Sequence, residues 1–285
     1  MKHYLLLLLI LPIGFLVIKH NEIRQSLNTI EVVTYNINNI KEDWQLMEVC
    51  ATIKSMGIPD LLLLQEVHGT SATGFLAENL RMPFYHYIDY MGDDSGLAIL
   101  SRKPLENRKI LYFSVSRYGY GALAAETKIV DRNLVICSLH LDRILEVRSE
   151  SQISCLMVLR LLQKEIFTET VRSCSVKELI DWLAEFKNDY IIIGGDFNSF
   201  PLSRPIRKMM EKYNDALWPT TKYFNGTYTE LDYPIKPRID FLFHSPVVKR
   251  YRVDVINKGP SDHYPVKSIF GMEVNGSISE CEMLN

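Results

Sequence analysis

Short apolar segments recur along most of the chain, and many of them run directly into a polar side chain. Segments of this length that are rich in Val, Ile and Leu predict buried β-strands rather than helices. They lie at 31–37, 61–64, 96–100, 122–129, 134–139, 190–193, 239–243, 247–256 and 265–270. A chain with this many short strands excludes an all-helical bundle and requires sheets whose faces are covered.

Helical patterns lie between these strands. Apolar residues at helical spacing indicate a helix around 46–53, one from about 150 to 167, one around 176–183 and a short one at 206–213. The strands at 122–129 and 134–139 flank a short polar turn, which predicts a hairpin. Strands and helices that both recur along the chain favour an α/β fold with helices covering the sheets.

Length and charge limit the domain count and the partners. The 285 residues suit one large domain, which we place at 29–272 with a short tail at 273–285. The formal net charge of −2 and the pI of about 6.4 provide no overall basic excess. Affinity for long duplex DNA comes largely from neutralised phosphates. This charge balance therefore weakens the interpretation that long duplex DNA is the substrate. We expect a monomer.

The first 28 residues have a different character from the rest. A positively charged start, Met1-Lys2-His3, precedes an apolar run from Tyr4 to Ile18. This pattern predicts a secretory signal peptide or an uncleaved N-terminal membrane anchor with a short linker. A buried helix of the domain is the alternative. We therefore expect an exported or membrane-anchored protein whose apolar segment contacts the membrane.

Polar side chains of the types that catalyse reactions or bind metals stand at the ends of several predicted strands. They are Asn36, Gln65, Glu66, His140, Asp196, Asn198, Asp240, Asp262 and His263. Some have ordinary alternatives, since His140 could be a core histidine and Asp262-His263 a turn. Asp240 lies within an apolar strand, where a carboxylate needs a partner or a metal. If these strand ends share one edge, the side chains converge on a single site.

The residue types fit the hydrolysis of a phosphate ester. Carboxylate and amide oxygens are the ligands that Mg²⁺ and Mn²⁺ prefer, and Glu66 is the first candidate. Asp196 could orient or deprotonate a water, and Asn36 and Asn198 could donate to phosphoryl oxygens. His140, and His263 oriented by Asp262, could stabilise the charge that develops on phosphate.

The order and the sequences of these segments resemble those of the endonuclease/exonuclease/phosphatase superfamily, which has a deoxyribonuclease-like fold. The matching segments, spread over about residues 30–270, are Val33-Thr34-Tyr35-Asn36-Ile37, Leu64-Gln65-Glu66-Val67, Ser95-Gly96-Leu97-Ala98-Ile99-Leu100-Ser101-Arg102, Ser138-Leu139-His140-Leu141-Asp142, Gly194-Gly195-Asp196-Phe197-Asn198, Pro237-Arg238-Ile239-Asp240 and Gly259-Pro260-Ser261-Asp262-His263-Tyr264-Pro265. The chain departs from the family in the two helical segments at 150–188, where members often have one.

The resemblance implies a four-layer α/β sandwich of two packed, mostly antiparallel sheets. It implies a Mg²⁺ or Mn²⁺ cofactor held by Glu66, with Asn36 and Asp262 as further ligands. The implied catalytic residues are His140, Asp196, Asn198, Asp240, Asp262 and His263, with Asn36, Asn198 and His140 contacting the substrate.

The resemblance leaves the substrate open. We expect a metal-dependent phosphodiesterase of nuclease type. The alternatives are a membrane-proximal phosphatase or lipid phosphodiesterase and a catalytically inactive binding module. The substrate could be a nucleic acid, a lipid headgroup or an inositol phosphate, because family members differ in substrate.

Overall fold

A computed structural model describes residues 29–90, 94–129, 132–144, 155–230 and 236–272. The segments predicted as leader and tail, 1–28 and 273–285, lie outside these residues, as does the predicted helix start at 150–154. Among the described residues, every helix is too short or too polar to cross a bilayer.

Twelve strands and five α-helices make up the described part of the chain. The strands are β1 (Thr29–Asn36), β2 (Leu61–Val67), β3 (Phe84–Asp89), β4 (Gly96–Ser101), β5 (Glu106–Tyr112), β6 (Gly121–Ile129), β7 (Arg132–His140), β8 (Ile191–Asp196), β9 (Asn214–Asp215), β10 (Asp240–His244), β11 (Val248–Val255) and β12 (Val266–Met272). The helices are α1 (Asp43–Ser55), α2 (Gly69–Leu80), α3 (Cys155–Phe167), α4 (Val171–Leu183) and α5 (Arg204–Met210).

The strands form two six-stranded sheets. The first has the order β11-β12-β1-β2-β4-β3 and the second the order β5-β6-β7-β8-β10-β9. Only two of the described strand pairs are parallel, β1 with β2 and β7 with β8, and the others are antiparallel. The expectation of two mostly antiparallel sheets is therefore confirmed.

Three apolar cores separate four layers. Between the sheets, residues such as Leu63 of β2 and Ile136 of β7 share one buried cluster. A second cluster packs the outer face of the first sheet against α1 and α2. A third packs the outer face of the second sheet against α4 and α5. This arrangement of helices, sheet, sheet and helices confirms the predicted four-layer sandwich.

The alternation of side chains along the central strands directs polar groups between the sheets at one end. In β8, Ile191 and Ile193 face the helices, whereas Ile192 faces the other sheet. Because side chains alternate with a period of two, Asp196 at the end of β8 also points inward. The same alternation applies to Asn36, His140 and Asp240, so the two sheets present their polar ends to each other.

Four of the described strands and α-helices were absent from the sequence-based prediction, namely the edge strands β3, β5 and the two-residue β9, and helix α2. Most residues of β3 and β5 are exposed or half-buried, so these strands lack the apolar run that marks a buried strand. Helix α2 begins at Gly69 and contains Thr, Ser and Gly, which are weak helix formers. Its Leu76 and Leu80 are fully buried, so packing supports this helix more than propensity does.

Gly195 is required by the close approach of β7 and β8. A Cβ atom at this position would fall on the backbone carbonyl oxygen of Leu139, which cannot move without breaking the sheet. We expect Gly195→Ala to lower the free energy of unfolding by about 1–3 kcal/mol, measured by urea denaturation.

Gly74→Ala in α2 is the matched control for this prediction. The added methyl group would lie 3.7 Å from the Tyr85 hydroxyl, an ordinary contact. We expect it to raise the free energy of unfolding by about 0.5–1 kcal/mol, because alanine favours helix more than glycine does. Equal effects of the two substitutions would contradict the steric argument for Gly195.

Candidate active site

Asp196 lies at the centre of a cluster of polar side chains contributed by both sheets. Its Oδ2 lies 3.1 Å from Asn36 Nδ2, 3.4 Å from His140 Nε2 and 3.8 Å from His263 Nε2. Its Oδ1 accepts a hydrogen bond of 2.8 Å from the backbone N–H of Asn198. Asp196 is 1% exposed, so these neighbours, more than solvent, determine its charge.

Strand pairing explains why distant parts of the chain meet here. The parallel partners β7 and β8 place His140 directly beside Asp196. In the antiparallel pair of β8 and β10, Asp240 lies opposite Asp196. Parallel strands end at the same edge of a sheet, so the end of β1 delivers Asn36 from the facing sheet beside the end of β2.

Glu66 reaches the site through an irregularity in β2. In a regular strand, Glu66 would point away from the face to which Gln65 points. The pairing of β2 with β4 shifts between Leu64 and Val67, and Glu66 has a left-handed φ of 51°. Its Oε1 consequently accepts a hydrogen bond of 3.1 Å from Asn36 Nδ2. Backbone strain of this kind is often found at functional sites.

His140 is held by aromatic side chains on one side and by an amide on the other. Its Nδ1 lies 2.9 Å from the Tyr90 hydroxyl, and Tyr120 stacks on its ring with centroids 4.2 Å apart. Its Nε2 lies 3.0 Å from Asn198 Nδ2 and faces Asp196. His140 is fully buried, so these contacts fix the orientation of the imidazole.

His263 pairs with Asp240, which differs from the sequence-based prediction. His263 Nδ1 lies 2.9 Å from Asp240 Oδ2, whereas the predicted partner was the adjacent Asp262. Asp262 is half-buried, and its carboxylate accepts a hydrogen bond of 3.2 Å from the Ser261 hydroxyl. Neighbours in sequence diverge here because the backbone places only His263 between the sheets, facing β10.

The charges in the cluster favour a protonated His263. Burial alone would lower the pKa of His263, but Asp240 and Asp196 raise it to about 10. Burial raises the pKa of Asp240, so the two side chains share one proton across the neutral range. Burial would also raise the pKa of Asp196, but His263 and His140 hold it below its ordinary value. Asp196 is therefore ionised at neutral pH beside a cationic imidazole.

The donor atoms of the cluster suit a divalent cation. Glu66, His140 and Asp196 each offer one ligand atom, and these atoms lie within 4.8 Å of one another. The same is true of Asp196, Asp240 and His263. The first group includes two carboxylates and lies beside an amide, which suits Mg²⁺ or Mn²⁺ better than a softer metal.

The other two predicted metal ligands, Asn36 and Asp262, have contacts that differ from those of Glu66. Asn36 directs its NH₂ group to Glu66 and Asp196, while its Oδ1 accepts a hydrogen bond from the backbone N–H of Asn38. In this arrangement Asn36 orients the two carboxylates. Asp262 belongs to neither of the two groups of close donor atoms. The roles of Asn36 and Asp262 as metal ligands stay predictions.

The structure adds residues that the sequence-based prediction missed. Tyr90 follows β3, an exposed edge strand, and no motif marks it. Arg143 places Nη2 3.1 Å from Glu66 Oε1, and its side chain is 55% exposed. Its position three residues after His140 was the only available signal. Tyr120, just before β6, stacks on the His140 ring.

Comparisons of structure show the same fold in several proteins. An endonuclease/exonuclease/phosphatase family protein from Bacteroides thetaiotaomicron is 17% identical, with a TM-score of 0.65, over 86% of this chain and 98% of that one. The human Nocturnin catalytic domain with bound sulfate is 17% identical, with a TM-score of 0.62, over 86% and 94%. A humanized TDP2 from D. rerio is 17% identical, with a TM-score of 0.60, over 86% and 100%.

Comparisons of sequence identify the family of this protein. No curated protein matches the sequence. A family model, in contrast, matches from Val33 in β1 to His263 beside β12, a span that includes every strand contributing to the cluster. Since this match covers most of the chain, the protein belongs to the Endonuclease/Exonuclease/phosphatase family.

Proposed function

We propose that this protein is a Mg²⁺- or Mn²⁺-dependent phosphodiesterase of nuclease type. The observation that carries the proposal is the convergence on one Asp196 oxygen of an amide and two imidazoles, contributed by both sheets. Members of the family hydrolyse phosphoester bonds, and this cluster contains the groups that such a reaction needs.

Each group has a separate task in the proposed reaction. Ionised Asp196 orients a water molecule and accepts its proton as the water oxygen bonds to phosphorus. His263, protonated and oriented by Asp240, donates a hydrogen bond to a phosphoryl oxygen as negative charge develops there. Asn198 and His140 bind the remaining oxygens. The bond from phosphorus to the leaving oxygen breaks, that oxygen takes up a proton from solvent water, and Asp196 returns the proton it accepted to solvent.

The cation completes this set of residues. Glu66 would hold it, with Asn36 fixing the orientation of the carboxylate. When bound, Mg²⁺ or Mn²⁺ supplies Lewis-acid stabilisation of the charge on the phosphoryl and leaving oxygens. The remaining steps depend on Asp196, His263, Asn198 and His140.

A nucleic acid is the first substrate class to test. A D. rerio TDP2 structure with the same fold is complexed with a single-stranded DNA product, at 16% identity and a TM-score of 0.60. The net charge of −2 favours a short or single-stranded substrate over a long duplex. A lipid or inositol phosphate substrate would instead fit the proposed membrane anchoring by the apolar run at 4–18.

The test is a panel of substrates assayed with and without metal. The full chain is incubated with a single-stranded oligonucleotide, plasmid DNA, a sphingomyelin analogue in vesicles and inositol phosphates. We expect Mg²⁺-dependent cleavage of the oligonucleotide, and we expect a chelator to lower its rate to below about one hundredth. Restoration of the cleavage rate by added Mg²⁺ or Mn²⁺ is the control for the chelator.

Three outcomes would contradict the proposal. Turnover that persists in excess chelator would exclude the metal-dependent mechanism. Cleavage confined to the vesicle or inositol phosphate arms would replace the nuclease assignment with the lipid or phosphatase alternative. A protein that binds an oligonucleotide but cleaves nothing in the panel would be the inactive binding module.

A further inference from the structure

Arg143 is a cation at the mouth of the active site, outside the set of residues used so far. Its Nη2 donates a hydrogen bond of 3.1 Å to Glu66 Oε1, and the side chain is 55% exposed. Among the described residues, no other acceptor bonds to the guanidinium, so its remaining N–H groups are open to a ligand beside the carboxylates. A planar guanidinium with free donors matches the oxygens of a phosphate group.

The backbone of Arg143 is fixed by a buried arginine from α4. Arg172 is 6% exposed, and its Nη1 donates to the carbonyl oxygens of Asp142 at 3.1 Å and Arg143 at 3.0 Å. A buried guanidinium needs a counter-charge, which Glu165 of α3 provides at 1% exposure. The contacts of this ion pair with two adjacent carbonyls tie α3 and α4 to the start of the loop after β7.

The same loop is held from its other side. The Asp142 carboxylate accepts hydrogen bonds from the Ser116 hydroxyl, at 2.5 Å, and from the backbone N–H of Arg117, at 2.9 Å. Ser116 in turn accepts a hydrogen bond from the backbone N–H of Tyr120, which stacks on His140. The Asp142–Arg143 backbone is thus restrained both by the helical layer and by the loop that supports His140.

We propose that Arg143 binds a phosphate oxygen of the substrate and that the buried Arg172–Glu165 pair is the positioning device for it. This inference rests on the proposed function, because it assigns the substrate phosphate of that same site. It gives a task to the second helical segment, α4, which the sequence alone left without one. Arg143 contacts substrate, whereas Arg172 acts only through the backbone of Asp142 and Arg143.

The first experiment separates phosphate binding from metal binding in Arg143→Ala. We expect KM for the oligonucleotide and the Ki of inorganic phosphate to rise about 10- to 100-fold, with a smaller change in kcat. Mn²⁺ affinity, measured by calorimetry, should be unchanged or higher, because a cation next to Glu66 has been removed. Weakened Mn²⁺ binding or an unchanged phosphate Ki would overturn the assignment of Arg143.

The second experiment is a double-mutant cycle between Arg143 and Arg172. Arg172 reaches Glu165 and both carbonyls with three separate nitrogens, whereas lysine offers one, so Arg172→Lys should raise KM and the phosphate Ki at least about fivefold. In an Arg143→Ala background, the same change should add nothing, since its effect passes through Arg143. An equal rise in both backgrounds would overturn the positioning role. If Arg172→Lys does not fold, Glu165→Gln replaces it in the cycle.

A surface ion pair on the same helical layer provides the control. Arg204 Nη2 lies 2.7 Å from Glu169 Oε2, and both side chains are partly exposed. Arg204→Lys should leave KM, the phosphate Ki and the melting temperature nearly unchanged. The Kd of inorganic phosphate, measured by calorimetry without turnover, should change in the same way as its Ki, so the two proposals fail differently. Wild-type protein that binds phosphate through Arg143 but cleaves nothing would refute only the proposed function.

Discussion

Asp196→Asn should lower kcat by about a thousandfold to ten-thousandfold, because it removes the group that accepts the proton of the attacking water. The amide has nearly the shape of the carboxylate, and its single oxygen can accept from either the Asn36 amide or the backbone N–H of Asn198, whereas its NH₂ group replaces the other acceptor. It cannot take up a proton at neutral pH. The loss should therefore appear in kcat, measured with saturating oligonucleotide and Mg²⁺.

A charge-matched control tests whether the loss is specific. Asp181 lies on the exposed face of α4, and Asp181→Asn makes the same change in net charge. Its kcat should stay within about twofold of the wild-type value, as for a surface substitution. Circular dichroism and thermal melting confirm that both variants fold. An Asp196→Asn enzyme with more than a tenth of wild-type kcat would exclude Asp196 as the base.

Asp240→Asn should lower kcat by about a thousandfold and shift the titration of His263. In the wild type, the carboxylates hold the pKa of His263 at about 10, so the imidazolium persists through neutral pH. Without the Asp240 charge, the pKa should fall toward the ordinary value of about 6.5. The variant then loses its imidazolium as pH rises through the neutral range, so its defect should be greater at pH 8 than at pH 5.5.

Asp262→Asn is the informative comparison, since the sequence favours Asp262 as the partner of His263 and the structure favours Asp240. NMR titration of the His263 ring protons, identified by their loss in His263→Gln, measures the pKa in each variant. We expect a large decrease for Asp240→Asn and a small one for Asp262→Asn. The reverse order would show that the hydrogen bond between His263 and Asp240 does not control the proton.

The sequence predicted the central strands well for a physical reason. Strands such as β2 and β8 are buried on both faces, so their segments are almost entirely apolar. Edge strands β3 and β5 bury little, and their sequences carry no comparable pattern. The four-layer fold was predicted from the resemblance, whereas the order of strands within each sheet depends on long-range pairing that no local pattern encodes.

The residues that form the site were easier to predict than the contacts between them. Strand-end polar residues such as Asn36, Glu66 and Asp196 stand out against apolar segments, and the structure brings them together. The partner of His263 is Asp240, 23 residues away in sequence, and this pairing depends on the register of β10 against β8. The contacts of Arg143 depend on two buried side chains of the helical layer, so local sequence could not reveal them.

The direction of β1 has a practical consequence for experiments on this protein. Thr29 begins the strand that ends at Asn36, and eight residues rising about 3.3 Å each separate the two ends by roughly 23 Å. Thr29 also pairs with Gly271, next to Met272. The first and last described strands thus begin and end, respectively, at the end of the sandwich remote from Asp196. Immobilising the domain on a sensor chip through either end, or inserting it into a host protein, should leave the mouth of the site open to solution.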